Sequence, residues 1–139
     1  MPKRPLFILL AILLASCTPG RQSDSRVQLA PVSALPQPMQ AAPAAVRTAY
    51  QFAIANPEAL RSVPCYCGCA AIDHKSNLAC YVKEFGVNGK PVFDAHALGC
   101  GICVDIAIDV MRMTAEGKSP TEIRQQIVDA YSKFGPENQ

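Results

Sequence analysis

"CGICVDIAIDVMRMTAEGKSPTEIRQQIVDAYSKF", residues 100–134, decides the fold. Asp105, Asp109, Arg112 and Glu116 recur at spacings of four, three and four, and nearly everything between them is apolar. That pattern predicts a helix buried on most of its circumference, with a narrow polar stripe. Gly117 closes it. Ser119-Pro120-Thr121-Glu122 then opens a second helix, because a Ser cap, a Pro at the first helical position and a Glu three residues after the cap make a capping box. Ile123, Ile127, Tyr131 and Phe134 supply this helix's apolar face.

Working outward, Val46, Tyr50, Ala53 and Ile54 also fall at helical spacing, until Asn56-Pro57 stops the run. Asn56 is expected as the N-cap, and Pro57 as the first residue, of a one-turn helix ending near Arg61. Pro64 then delivers the chain into Cys65-Tyr66-Cys67-Gly68-Cys69. From 70 to 97 the pattern is weak: Asn88-Gly89 is a turn signal, and the segments around Tyr81 and Val92 read as a short hairpin or an ordered loop. The expected architecture is mainly α, a small single domain over 44–139 with amphipathic helices around an irregular cysteine-rich centre. Cores of that size are marginal, and staples or metals usually help.

The N-terminus sets the compartment. Lys3 and Arg4 precede an apolar run of ten residues, Leu6 to Ala15, too short to span a bilayer as a mature helix. The run ends in Leu14-Ala15-Ser16-Cys17, which resembles the lipobox of bacterial lipoproteins, so residues 1–16 are expected to be a signal peptide and Cys17 the acylated new N-terminus. Acyl chains there supply the hydrophobic signals that stable anchoring requires. Thr18 stands where an Asp commonly retains lipoproteins at an inner membrane, which points to the outer membrane in a cell with two. Residues 17–43 carry five prolines among Ala, Ser and Gln and are expected to be a tether. Without Lys3 and Arg4 the chain is formally neutral, and no basic patch offers nucleic acid a footprint.

Six thiols and two imidazoles remain within 39 residues: Cys65, Cys67, Cys69, Cys80, Cys100, Cys103, His74 and His96. In an extended segment residues two apart share a face, so Cys65, Cys67 and Cys69 can converge, with Gly68 free to take a positive φ and curl the backbone. Cys100 and Cys103 bracket a helix start, where free amides favour thiolates. An even cysteine count in an exported domain is also the usual mark of disulfides. Alternating cysteines in a strand, however, lie roughly 6.5–7 Å apart at Cα, at or beyond disulfide reach. Convergence on an ion from two sides accounts for the histidines as well, and thiolate-dominated sets favour Cu(I) over Zn(II). Met39, Met111 and Met113 could add thioethers, but Met111 and Met113 sit in a helix whose apolar face needs filling and are better read as core. Cys103 is followed by Val104, so no haem attachment motif exists, and the leader lacks the twin arginines of an exported iron–sulfur protein. No phosphate-binding loop or nucleophile elbow occurs.

Taken together, Pro64-Cys65-Tyr66-Cys67-Gly68-Cys69, His74-Lys75-Ser76-Asn77-Leu78, Cys80-Tyr81-Val82, His96-Ala97 and Cys100-Gly101-Ile102-Cys103 resemble the bacterial family named for its PCYCGC motif. The likeness covers roughly 46–136. The resemblance implies an exported lipoprotein with a shared cysteine site, without saying what fills it. The residues point to a lipid-anchored extracytoplasmic protein that sequesters or transfers a soft metal ion, with an envelope metal-handling or redox protein as partner. Two alternatives stay open: a disulfide-stapled interaction module of the envelope, and a thiol–disulfide oxidoreductase using Cys100 and Cys103.

Overall fold

Pro43 and Pro57 mark the starts of two successive helices. In the computed structural model, which describes residues 27–139, α1 spans Gln37–Gln40, α2 Ala44–Ala55 and α3 Pro57–Arg61. Asn56 stands at the boundary as expected, but its side chain does not cap α3. Its Nδ2 donates instead to the carbonyls of Phe52 and Gln28, at 3.0 and 2.7 Å. The strongly patterned stretch forms α4, Gly101–Ala115, and α5, Pro120–Tyr131, with Gly117 between them at φ +78, a conformation that favours glycine.

Both halves of the predicted capping box are present at Ser119 and Glu122. Ser119→Ala should therefore lower stability by about 1 kcal/mol, read as a shift of the denaturation midpoint with unchanged slope. Ile123, Ile127 and Tyr131 are buried, but Phe134 lies beyond the helix in a 3-10 turn and is mostly exposed. The polar stripe of α4 also reaches its neighbour: Asp109 accepts from the Tyr131 hydroxyl at 2.8 Å and from Arg112 at 3.1 Å.

The weakly patterned segment contains the hairpin. Strand β1, Val82–Phe85, pairs antiparallel with β2, Pro91–Phe93, with an irregularity between Val82 and Glu84. Asn88 and Gly89 take φ +67 and +71 in the connection, which is the reason the turn signal sits there. Three-10 turns at Cys69–Ile72, Asn77–Cys80 and His96–Leu98 carry the chain around the cysteines. Among the described residues the fold is mainly helical with this one small sheet, and its centre is the cysteine-rich segment.

The tether expectation needs correction over its described part, 27–43. Leu35 and Met39 are buried in the core, the Ala30 amide donates to the Gln51 carbonyl at 3.2 Å, and the Gln51 side chain returns a bond to the Ala30 carbonyl at 2.6 Å. Two large apolar side chains four residues apart pin the segment onto α2. The prolines make this easier, since a chain already restricted loses less entropy on ordering. The expected signal peptide, Cys17 and the start of the expected tether lie outside the described residues. Among the described residues no helix is long and apolar enough to cross a membrane.

Candidate metal centre

Three elements deliver sulfur to one place. Pro64 and Val63, both buried, fix the approach of Cys65. Gly68 adopts φ +80, which turns the chain so that Cys69 starts a 3-10 turn instead of continuing an extended strand. Cys100 is the extended residue that caps α4, and Cys103 sits in its first turn. Cys80 ends the 3-10 turn that precedes β1.

Cys103 is the hub. Its Sγ lies 3.1 Å from Cys100 Sγ, 3.2 Å from Cys80 Sγ, 3.4 Å from Cys65 Sγ and 3.5 Å from Cys67 Sγ. Cys65 and Cys67 are 3.4 Å apart at sulfur, and Cys69 stands 3.9 Å from Cys80. None of the six is in a disulfide. A disulfide brings sulfurs together in pairs at about 2.05 Å, whereas one sulfur within contact of four others is a cluster. The Cys103 carbonyl is held by the Tyr81 hydroxyl at 2.7 Å and by Asn77 Nδ2 at 3.2 Å, so the hub's backbone is fixed from two sides. Tyr81 in turn packs edge-on against Tyr50 of α2, with ring centroids 5.0 Å apart.

Both histidines join the cluster. Cys67 Sγ is 3.5 Å from His96 Nε2, and the two imidazoles meet edge to face at 5.1 Å. Asp94 organises them: its Oδ1 accepts from the His96 amide at 2.7 Å, its Oδ2 stands 3.6 Å from His74 Nε2, and its carbonyl accepts from the Tyr50 hydroxyl at 2.7 Å. His74 is buried, and its Nδ1 has no hydrogen-bond partner. With Nε2 facing a carboxylate, the other nitrogen is left as the free lone pair, the arrangement that orients histidines on metals.

The donors fall into three overlapping groups whose ligating atoms lie within 4.8 Å of one another: Cys65, Cys67, Cys69 and Cys80; Cys67, His96, Cys100 and Cys103; Cys69, His74, Cys80 and His96. All eight residues expected from the sequence are brought together. Met113, by contrast, is buried in the face of α4 as core.

The electrostatics of the thiols are uneven. Hydrogen bonds from Cys103 and Cys80 hold the Cys65 thiol well below its ordinary range, burial notwithstanding. Cys67 and Cys69 are pushed up, chiefly by burial. Cys103 is pushed far up by its hydrogen bonds to Cys65 and Cys80. Cys80 rises too: its bond from Cys103 favours the thiolate, but its bond to Cys65 and its burial outweigh that. The arrangement thus favours the thiolate at Cys65, held by the protons of its neighbours.

Two supporting residues had no sequence signature. Asp94 is one. The other is Asn138, buried beyond α5: its Oδ1 accepts from the Cys65 amide at 2.6 Å, and its Nδ2 donates to the His74 carbonyl at 2.7 Å and toward Cys69 Sγ at 3.6 Å. Gly135 lets this segment cross close to the PCYCGC loop, since a Cβ there would stand 2.9 Å from the Tyr66 carbonyl oxygen.

No curated protein and no solved structure matches the chain. One family model does, over residues 6–136, so the match extends further toward the N-terminus than the quoted motifs do. By that match, and by the hexapeptide on which its sulfur cluster is built, the chain belongs to the family described as "Protein of unknown function with PCYCGC motif".

Proposed function

We propose that this protein binds a soft metal ion, Cu(I) ahead of Zn(II), outside the cytoplasm and from a lipid anchor at Cys17, and that it sequesters the ion or hands it on. The observation that carries the reading is the Cys103 sulfur, within 3.5 Å of four other sulfurs. Six free thiols in an oxidising compartment persist when a metal holds them. A tetrahedral thiolate site with bonds near 2.3 Å has edges of about 3.8 Å, so these sulfurs need separate by less than about 1 Å to close on ions. The sharing of Cys67, Cys69, Cys80 and His96 between donor groups favours more than one Cu(I), bridged by sulfur. The orphaned His74 Nδ1 gives the imidazoles a reason to be there. A dithiol couple at Cys100 and Cys103 is less well supported, because Cys103 is as close to Cys80 as to Cys100.

The deciding experiment is native and denaturing mass spectrometry, with metal analysis, on protein purified from the envelope. Metal in the native mass and six reduced thiols are expected. At free ion about 100-fold above Kd the folded state should gain about 2.7 kcal/mol, seen as a higher melting temperature. Three disulfides, no metal and no stabilisation by either ion would establish the stapled module instead. The anchor has its own test: Cys17→Ser should move the protein to the soluble fraction or block its processing, and unchanged membrane association would refute the lipoprotein assignment.

A further inference from the structure

The eight donors are not equally hidden, and the gradient has a direction. Cys65, Cys69, Cys80, Cys103 and His74 are buried, whereas Cys67, His96 and Cys100 are half-buried. These three form one donor group with Cys103 behind them. Their chain neighbours Gly68, Gly99 and Gly101 are exposed, and a Cβ built on any of them would meet nothing within 4 Å. Gly68 needs glycine for its φ of +80. Gly99, at φ −115, and Gly101, the first residue of α4, have no such need. Neither strain nor packing explains glycine at these two positions, and a helix is weaker for having one. What they provide is bare backbone around Cys100, over which another chain can come close.

The other approach is different in kind. A pocket of about 350 Å³ between the hairpin and the 3-10 turns is lined by Ile72, Asp73, His74, Ala79, Lys83 and Asp94, and it reaches no cysteine. The Lys83 ammonium stands 3.9 Å from the Asp94 carboxylate. The pocket's charges are mixed, the Lys83 ammonium against the Asp73 and Asp94 carboxylates, and the donor it offers is not a thiol but an imidazole whose Nε2 faces Asp94.

Resting on the metal reading above, we infer that Cys67, His96 and Cys100 are the exchange mouth of the site, and that its partner is a soft-metal carrier presenting thiols on an exposed loop. In the exchange, the incoming sulfur donates a lone pair to Cu(I). The bond from Cu(I) to Cys100 breaks with its pair returning to the Cys100 sulfur, and the proton of the incoming thiol ends there. Cu(I) keeps its oxidation state, and no oxidant or reductant is consumed.

Two measurements on the full, reduced chain test this. In the first, brief alkylation without metal, mapped by mass, should label half-buried Cys67 about tenfold or more faster than buried Cys69, since burial pushes both thiols up and access is what separates them, and should label Cys100 ahead of Cys80 and Cys103. In the second, the Cu(I)-loaded chain is mixed with excess of a Cys-x-x-Cys peptide and metal loss is followed in stopped flow. Gly101→Leu and Gly99→Val should each slow transfer about tenfold by covering the mouth, with equilibrium affinity within about twofold of the parent, while Ile72→Trp and Lys83→Ala at the other door leave the rate unchanged. Uniform labelling, transfer indifferent to Gly99 and Gly101, or equal slowing by Ile72→Trp would overturn the mouth alone. A parent chain that takes up no Cu(I) would overturn the metal reading and the mouth with it, and the labelling pattern would then describe thiol access only.

Discussion

Cys103→Ser is expected to lower Cu(I) affinity by more than about 100-fold, beyond the 10–100-fold that changes to outer-shell residues typically cost. Serine preserves the size of the side chain but replaces a soft donor with a hard one at the sulfur that touches Cys65, Cys67, Cys80 and Cys100. Cys67→Ser should also be severe, because Cys67 belongs to two of the three donor groups. The double replacement should then cost much less than the sum of the two, as residues acting on one network do. Competition against a chromophoric Cu(I) chelator measures all three losses. Additive losses, with metals filling and emptying independently, would show that the PCYCGC end and the α4 end are separate sites.

Asp94→Asn is the second change with a large expected effect, and it leaves every sulfur in place. Asparagine can still accept from the His96 amide, and the backbone carbonyl that receives the Tyr50 hydroxyl is untouched, so the fold should survive. What disappears is the negative charge 3.6 Å from His74 Nε2. Without it nothing favours a proton on Nε2 over Nδ1, and the lone pair that Nδ1 offers is no longer assured. Affinity should fall about 10–100-fold with a melting temperature, measured without metal, near that of the parent. If affinity stays within about twofold, His74 does not bind through Nδ1. His74→Ala supplies the matching check: combined with Asp94→Asn it should add little, since Asp94 acts through His74.

How much of this could be read from the sequence varies by segment. The helices α4 and α5 were legible because their periodicity runs over several turns and their ends carry explicit punctuation in Gly117 and in Ser119 with Glu122. The grouping of the eight candidate donors was legible because cysteine and histidine are rare enough for their clustering to stand out. The hairpin was only half visible: β1 and β2 have four and three residues, too short for alternation to show, and only Asn88-Gly89 betrayed the turn. The packing of residues 27–43 was hidden by composition, since it depends on two side chains, Leu35 and Met39, in a segment otherwise Pro- and Ala-rich. Asp94 and Asn138 were illegible for a different reason. Their roles follow from tertiary position, and the only local hint was the spacing of Asp94 two residues before His96, which lets its carboxylate take the His96 amide.

The reach of Asn138 across 73 residues to the Cys65 amide has a consequence for how the chain must be made. On the proposed export reading, a polypeptide threaded outward N-terminus first presents all six domain thiols to an oxidising side before the rest of α4, α5 and Asn138 follow. During that interval the thiols lack the packing that holds them in register, and in the oxidising compartment proposed above they would be open to oxidation. Order of emergence therefore works against the site, and early metal capture or rapid completion works for it. A chain cut after Gly135 would freeze that vulnerable stage: non-reducing electrophoresis should resolve it into a ladder of scrambled disulfide forms, where the full chain, exported alongside it, runs as one band.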